Sequence, residues 1–108
     1  MARKPLPAPI ARAMAELGED LATWRRLRNL TINEVAERAD VARGVVIKLE
    51  VGDGATVESL LRVTRALGVL GALASALDPY ASDVGRLRAG ETLPQRVRHR
   101  APREEEQR

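Results

Sequence analysis

Cysteine is absent from this sequence of 108 residues, which excludes disulfides, thiolate nucleophiles and cysteine-ligated zinc sites. Phenylalanine is absent too, and there is only one tryptophan and one tyrosine, so Leu, Val, Ile and Ala must form the core, as in packed helices. The single histidine, His99, stands in a basic run without a fixed partner for nucleophilic catalysis. We therefore expect no enzymatic activity, no cofactor and no metal site.

Long apolar runs are also missing. No stretch approaches the roughly 18 consecutive apolar residues that a membrane-spanning helix needs, and residues 1–14 lack the hydrophobic segment of a secretory signal. A chain of this length fits one small domain with tails. We therefore expect a cytoplasmic protein of a prokaryote or phage, without contact to a membrane.

Positive charge is concentrated toward the two ends of the chain, although the net charge is only +3. Residues 17–80 carry eight Lys and Arg against nine Asp and Glu, for −1, whereas residues 1–16 and residues 81–108 each carry +2. Affinity for nucleic acid must then come from local placement of charge rather than from a basic domain. The net charge is equally well interpreted as one that only keeps the protein in solution.

Residues 30–52 give the clearest structural signal, because they predict two short helices joined by a tight turn. The first helix has one apolar stripe at i, i+3, i+4 and i+7, and Thr31 with Glu34 has the spacing of a capping box. Asp40 ends that pattern, and on the second helix Val46 and Leu49 point toward a core. The stripe of the first helix consists of Ile32, Val35, Ala36 and Ala39.

The opposite face of the second helix carries small, apolar and basic side chains. Its members are separated by one, three or four residues, which places them on one side of a helix. A short helix held against a partner, with its outer face free, is how a helix-turn-helix enters the major groove of DNA. We therefore predict binding to a double-stranded DNA operator. This face consists of Arg43, Gly44, Ile47 and Lys48.

Each predicted DNA contact follows from the chemistry of its side chain. We expect Arg43 to pair with guanine O6 and N7 or with a flanking phosphate, Ile47 to contact a thymine methyl, and Lys48 to contact a phosphate. Gly44 allows a close approach to the groove floor, and Asn33 with the first amides of its helix offers donors to a phosphate. Solvated charge is the alternative for the two basic residues. The predicted DNA-binding residues are Asn33, Arg43, Gly44, Val45, Ile47 and Lys48.

A larger set of residues carries a resemblance to a known family. It comprises Leu17-Gly18, Leu21, Arg25, Arg28, Leu30-Thr31, Glu34-Val35-Ala36-Glu37, Ala39, Val41, Val46, Leu49-Glu50 and Gly52. From about Leu17 to Leu77 the chain resembles the lambda-repressor-like (Cro/cI, XRE) helix-turn-helix domain. The resemblance implies an all-α fold: a compact five-helix DNA-binding domain with the helix-turn-helix at helices 2 and 3, a flexible N-terminal arm and a C-terminal extension.

The sequence departs from this family at the predicted DNA surface. Family members usually carry a glutamine where Ile32 stands, and polar residues where Gly44, Val45 and Ile47 stand. We therefore expect base contacts that differ from the usual scheme of the family.

The rest of the pattern predicts three more helices. Asn29 is expected to end helix 1 in a left-handed conformation, Gly68 is expected to end helix 4, and Thr56 is expected to cap helix 4. The residues expected to face the core are Leu17, Leu21, Trp24 and Leu27 of helix 1 (from residue 11 or 17 to residue 28), Val57, Leu60, Leu61 and Thr64 of helix 4 (to residue 67), and Leu70, Leu73, Ala74 and Leu77 of helix 5 (residues 70–77).

The predicted domain plan has four parts. A flexible, proline-rich arm at 1–10 precedes the helix-turn-helix domain at 11–78, which is followed by a C-terminal extension for dimer or partner contacts at 79–98 and a disordered charged tail at 99–108. The extension is more than a minimal DNA-binding domain needs. The residues expected to contact a second copy or a partner are Leu70, Leu73, Leu77, Val84 and Leu87.

A narrower resemblance concerns residues 24–28, 60–70 and 78–100, which are similar to the HipB-type antitoxins paired with HipA-type kinase toxins. This resemblance implies a homodimer that represses its own operon and binds the toxin. Two alternatives remain open: a stand-alone repressor of another operon, and a protein-interaction module that has lost DNA reading. Val45 and Ile47, on or near the exposed helix face, favour the last alternative.

Overall fold

The computed structural model describes residues 4–91 and 94–96, and over these ranges it contains helices but no strand. The elements are α1 (Ala8–Leu27), α2 (Ile32–Ala39), α3 (Arg43–Glu50), α4 (Val57–Leu67), α5 (Leu70–Ser75), a 3-10 helix (Pro79–Ala81) and α6 (Asp83–Leu87). The predicted all-α class is confirmed for the described residues. Residues 1–3 of the predicted arm, parts of the predicted extension, and the predicted tail with His99 lie outside the described residues.

The chain divides into two compact units, Met1–Leu77 and Asp78–Arg108. The first unit contains α1 to α5, and its core is built from aliphatic side chains, as the lack of phenylalanine predicts. Burial of this kind stabilises a fold by roughly 25 cal/mol per Å² of apolar surface. The buried apolar residues are Leu21, Ala22, Leu30, Val35, Ala36, Ala39, Val46, Leu49, Val63 and Leu67.

Helix α1 begins earlier than predicted, at Ala8, so residues 8–10 belong to a helix rather than to a flexible arm. Pro9 in the first turn is compatible with this start, because the first amides of a helix have no partner within it. The C-terminal end is as predicted: Asn29 has φ 58°, and the amide of Leu30 donates to the carbonyl of Arg25.

The core-facing stripe of α1 was predicted wrongly at its C-terminal half. Leu17 and Leu21 are partly and fully buried, but Trp24 is 38% exposed and Leu27 is 66% exposed. Arg25 faces inward instead, since its guanidinium is paired with a carboxylate of α3. Trp24 stacks under the guanidinium of Arg28, 5.1 Å from the ring centroid.

The signals around the predicted helix-turn-helix are confirmed. Thr31 and Glu34 form the capping box, with the Thr31 amide 2.8 Å from Glu34 Oε1 and the Glu34 amide 3.0 Å from Thr31 Oγ1. The same bond from the Thr31 amide holds the pKa of Glu34 below its ordinary value. Asp40 ends α2 with φ 56°, and the turn leads directly into α3.

Helix α4 has the predicted caps, but its buried face is not the one that the sequence predicts. Thr56 Oγ1 accepts from the Ser59 amide, and Gly68 ends the helix with φ 80°. Val57 is 72% exposed and Leu61 is 38% exposed, whereas Thr64 is buried as predicted. The reason is that α4 turns Val63 and Leu67 toward α2 and the rest of the core.

Helix α5 is shorter than predicted, ending at Ser75. Leu70 and Leu73 are half-buried, but Ala74 is exposed and Leu77 is 91% exposed, so the last two of the four predicted core residues lie on the surface. A six-residue helix offers little area for burial, and Leu77 lies beyond its end.

The second unit is held by local bonds. The Ser82 hydroxyl donates to the Pro79 carbonyl and accepts from the Gly85 amide, so one side chain joins the 3-10 helix to α6. Gly85 is buried, and a Cβ there would overlap the Pro79 carbonyl. Among the described residues of this unit, the large apolar side chains of Tyr80, Val84 and Leu87 are exposed.

Candidate nucleic-acid interface

Helix α3 is fixed to the first unit by one side only. Val46 and Leu49 are buried in the core, as predicted, and Val45 is half-buried and packs against it. Gly18 of α1 lies directly under the C-terminal end of α3, where an added Cβ would overlap the carbonyl oxygens of Leu49 and Glu50. Helix α1 therefore covers this side of α3, while Arg43, Gly44 and Lys48 on the other side are exposed.

An ion pair between Arg25 and Glu50 fixes the C-terminal end of α3. Arg25 Nε and Nη2 lie 2.7 Å and 3.1 Å from the two carboxylate oxygens, and Nη1 donates to the Leu30 carbonyl at 3.2 Å. The two side chains are only 14% and 12% exposed. The hydrogen bond to Glu50 raises the pKa of Arg25, against the opposing effect of burial.

This pair joins α1, α3 and the loop before α2, and it was not predicted from the sequence. The signal was available, because Arg25 follows Leu21 by four residues and Glu50 follows Val46 by four. Both charges therefore stand on the inward stripes of their helices, where an ionised group needs a partner.

The free face of α3 holds most of the predicted DNA-binding residues. Arg43, Gly44 and Lys48 are exposed, and Ile47 is half-exposed beside them. A Cβ on Gly44 would meet nothing within 4 Å, so no packing contact explains the glycine. Val45 lies away from this face, against the core, and the structure does not bring it together with the others.

Val51, the residue that follows α3, was also not predicted from the sequence. It is 66% exposed and lies one turn beyond Ile47 on the same side of the helix. The i, i+4 relation to Ile47 was the signal that could have found it. Together Ile47 and Val51 form an apolar strip on the free face, beside the basic residues Arg43 and Lys48.

Asn33 and Arg43 come together at a shallow depression between α2 and α3. Asn33 is in the first turn of α2, where the amides before the capped one have no partner within the helix and carry partial positive charge. Glu37 and Asp40 line the same depression. The two carboxylates are therefore neighbours of Arg43 as well as of Asn33.

Lys48 lies at a different depression, which Met14 and the loop from Asp53 to Thr56 also line. Cationic and donor groups therefore stand at two separate places beside α3: at the start of α2 and at Lys48. Groups of this kind contact phosphates, so both places are candidates for contacts that position α3 on DNA.

Ile32 stands where the resembling family usually has a glutamine, and its surroundings explain the difference. The side chain is half-buried and packs against the core. An apolar residue there adds packing at the first position of α2, while the amide of the same residue stays at the helix end.

Other kinds of site find no support in the part of the chain that the structure describes. Over residues 4–91 and 94–96, no three histidine or acidic side chains group as metal ligands. None of the helices in that part combines the length and the apolar character of a membrane span.

Comparison with known proteins gives one match. A family model described as Helix-turn-helix matches residues 21–77, more than half of the chain, and this range includes α2, α3 and α4 completely. No curated protein and no solved structure matches the sequence. The chain therefore belongs to this helix-turn-helix family, of the XRE or lambda-repressor-like type, and is a DNA-binding transcriptional regulator.

Proposed function

We propose that the protein is the autorepressing antitoxin of a type II toxin–antitoxin operon and acts as a cytoplasmic homodimer. The observation that carries this proposal is the second unit, which begins at Asp78 after the helix-turn-helix unit is complete. It is folded by its own bonds and exposes Tyr80, Val84 and Leu87. Exposed apolar side chains on an ordered element support a protein contact.

DNA binding in this proposal uses the free face of α3. Two copies place their α3 helices in successive major-groove segments, about one DNA turn apart. Arg43 pairs with a guanine, and Ile47 contacts a thymine methyl, which gives the sequence preference. Lys48 and the amides at the start of α2 hold phosphates on either side of the groove.

Toxin binding in this proposal uses the second unit. Val84 and Leu87 are on one side of α6, three residues apart, and both are exposed. Arg88 stands beside them, paired with Glu91 at 3.0 Å. An apolar pair with a charged edge is the pattern of a short helix that docks in a groove of a partner, here a HipA-type kinase.

A stand-alone repressor of another operon is the second candidate, and it uses the same DNA surface. The third candidate, an interaction module that has lost DNA reading, has less support from the structure than from the sequence pattern. It rested on Val45 and Ile47 at the exposed face, and Val45 packs against the core. The apolar strip of Ile47 and Val51 is what remains in its favour.

Two binding measurements test the proposal. Fluorescence anisotropy should show that the full chain binds a fragment of its own promoter in preference to a scrambled fragment, with affinity that falls as salt rises. A kinase encoded next to it should bind the wild-type chain, and a Val84→Asp, Leu87→Asp variant should lose the kinase but keep the promoter. Promoter binding without any kinase partner would favour the stand-alone repressor, and equal binding to both fragments would favour the interaction module.

A further inference from the structure

One side of α4 is partly apolar although it does not face the core. Val57 is 72% exposed and Leu61 is 38% exposed, and together with Leu70 of α5 they line a shallow groove between the two helices. Glu58, Arg62 and Arg65 are the charged residues of the same groove. We use the name α4 face for these six residues.

Opposite charges stand at the two ends of the α4 face. Glu58 and Arg65 are seven residues apart, which is close to two helical turns and about 10 Å along the axis. Arg62 lies between them and is engaged within the chain, 2.9 Å from Glu58 and 3.9 Å from Asp40. Arg65 takes part in none of the ion pairs found among the described residues.

We propose that the α4 face is the contact between two copies of this chain, with their α4 helices antiparallel across a two-fold axis. A rotation of 180° about the middle of the face places Glu58 of each copy opposite Arg65 of the other. The Leu61 side chains then meet near the axis. A two-fold contact requires a surface that is complementary to itself, and Glu58 with Arg65 provides this at its two ends. Arg62 lies near the axis, where its charge is offset by Glu58 and Asp40 of its own chain.

A second copy fits this face better than a different protein does. A foreign partner must supply both an apolar strip and the reversed order of charges, whereas a second copy supplies both by symmetry. The inference rests on the proposed function to the extent that two α3 helices are needed for two half-sites of an operator. Whether the copies pair is nevertheless measured without DNA.

Charge reversal tests the pairing directly. Glu58→Arg and Arg65→Glu, made separately in the full chain, each place two pairs of like charges at the contact. We expect each variant to raise the dimer dissociation constant at least about tenfold, measured by light scattering over a concentration series. When the two variants are mixed in equal amounts, both opposite-charge pairs return, so a heterodimer with an affinity close to that of the wild type should form.

The heterodimer separates a lost contact from a lost fold, because a misfolded chain would not recover on mixing. Val57→Asp is a second variant: it adds a charge to the apolar strip, and an acidic residue in a first helical turn is compatible with the fold. It should be monomeric with an unchanged circular dichroism spectrum. Glu16→Arg on α1 and Arg38→Glu on α2 are exposed controls that should remain dimeric.

Three results would overturn the pairing: a monomeric wild-type chain, reversed variants that stay dimeric, or a mixture that does not recover. If the heterodimer forms but no promoter is bound, the contact stands and the proposed function fails. If the promoter is bound while charge reversal leaves the dimer unchanged, the function stands and the contact must lie elsewhere.

Discussion

Arg43 and Lys48 share the free face of α3 but have different surroundings, so their loss should have different effects. Arg43 lies beside two carboxylates at the start of the helix, and Lys48 lies by the loop before α4. Arg43→Ala should weaken operator binding by about 1–3 kcal/mol and relax the preference at one base pair. Lys48→Ala should weaken binding to all sequences and lower the salt slope by about one.

Anisotropy titrations against the operator and its single-base variants, at several salt concentrations, check both effects. Arg38→Ala is the control, since it removes an exposed cation from α2 rather than from α3. Unchanged affinity and unchanged base preference for both α3 variants would show that this helix does not read the operator.

Because the Arg25–Glu50 pair is largely buried, we expect that replacing Arg25 alone lowers the stability of the fold. Arg25→Ala leaves the Glu50 carboxylate, only 12% exposed, without its bidentate partner and frees the Leu30 carbonyl. The free energy of unfolding should fall by about 2–3 kcal/mol, measured by urea denaturation. Arg62→Ala is the matched control, because the Arg62–Glu58 pair is exposed and worth at most about 1 kcal/mol. Equal losses for the two variants would contradict a special role for the buried pair.

Among the elements, α2 depends most clearly on its first turn. Thr31→Ala removes the acceptor of the Glu34 amide and should cost about 0.5–2 kcal/mol of stability. Thr23→Ala, in the exposed middle of α1, should be neutral or slightly stabilising, because alanine is the better helix former. Thermal unfolding of the two variants checks this difference. If Thr23→Ala lost as much stability as Thr31→Ala, the capping bond would not explain the effect at Thr31.

The same cap predicts a dependence on acid. The hydrogen bond from the Thr31 amide lowers the pKa of Glu34 in the folded chain, so the ionised carboxylate stabilises the fold above its unfolded pKa. That contribution is lost as the pH falls through the lower, folded pKa. The stability of a Glu34→Gln variant should therefore fall less than that of the wild type between neutral pH and the acid range. Parallel curves would show that the carboxylate does not act through this bond.

Helix ends that carry a capping signal were predictable from the sequence, and so were the inward faces of α2 and α3, whereas the faces of α1 and α4 were predicted only in part. Thr31, Asn29 and Gly68 act through bonds to residues at most five positions away, and each has its predicted place in the structure. Trp24 and Val57 were placed in the core by periodicity alone and are exposed. Which side of a helix is covered depends on the angle at which its neighbours cross it, and the sequence pattern does not contain that angle.

The candidate DNA surface shows the same division. Arg43, Gly44 and Lys48 could be placed on a free face because Val46 and Leu49 so clearly face inward. Val45 and Val51 lie at the boundary between the buried side and the free side of α3. At that boundary a small rotation of the helix changes whether a side chain is buried. The acidic neighbours of Arg43 come from α2, so only the packing of α2 on α3 reveals them.

At the scale of the molecule, the buried core and the proposed toxin-binding surface belong to separate units. The buried aliphatic core lies wholly within Met1–Leu77, while Asp78–Glu91 is held by the bonds of Ser82 and by exposed ion pairs such as Arg86–Asp83. Exposed pairs contribute little free energy, so the second unit is an ordered surface rather than a source of stability. A chain divided in this way can lose the proposed partner surface without losing the stability of its core.

Removal of everything after Leu77 tests that division. The shortened chain keeps α1 to α5, the free face of α3 and the α4 face, so it should melt close to the temperature of the full chain, remain dimeric and bind the operator. Because Val84 and Leu87 are gone, it should no longer bind the kinase partner. Calorimetry, light scattering, anisotropy and a binding assay with the purified kinase measure these four properties on one preparation. A shortened chain that still holds the kinase would move the partner surface into the first unit, and one that unfolds would show that the second unit stabilises the first.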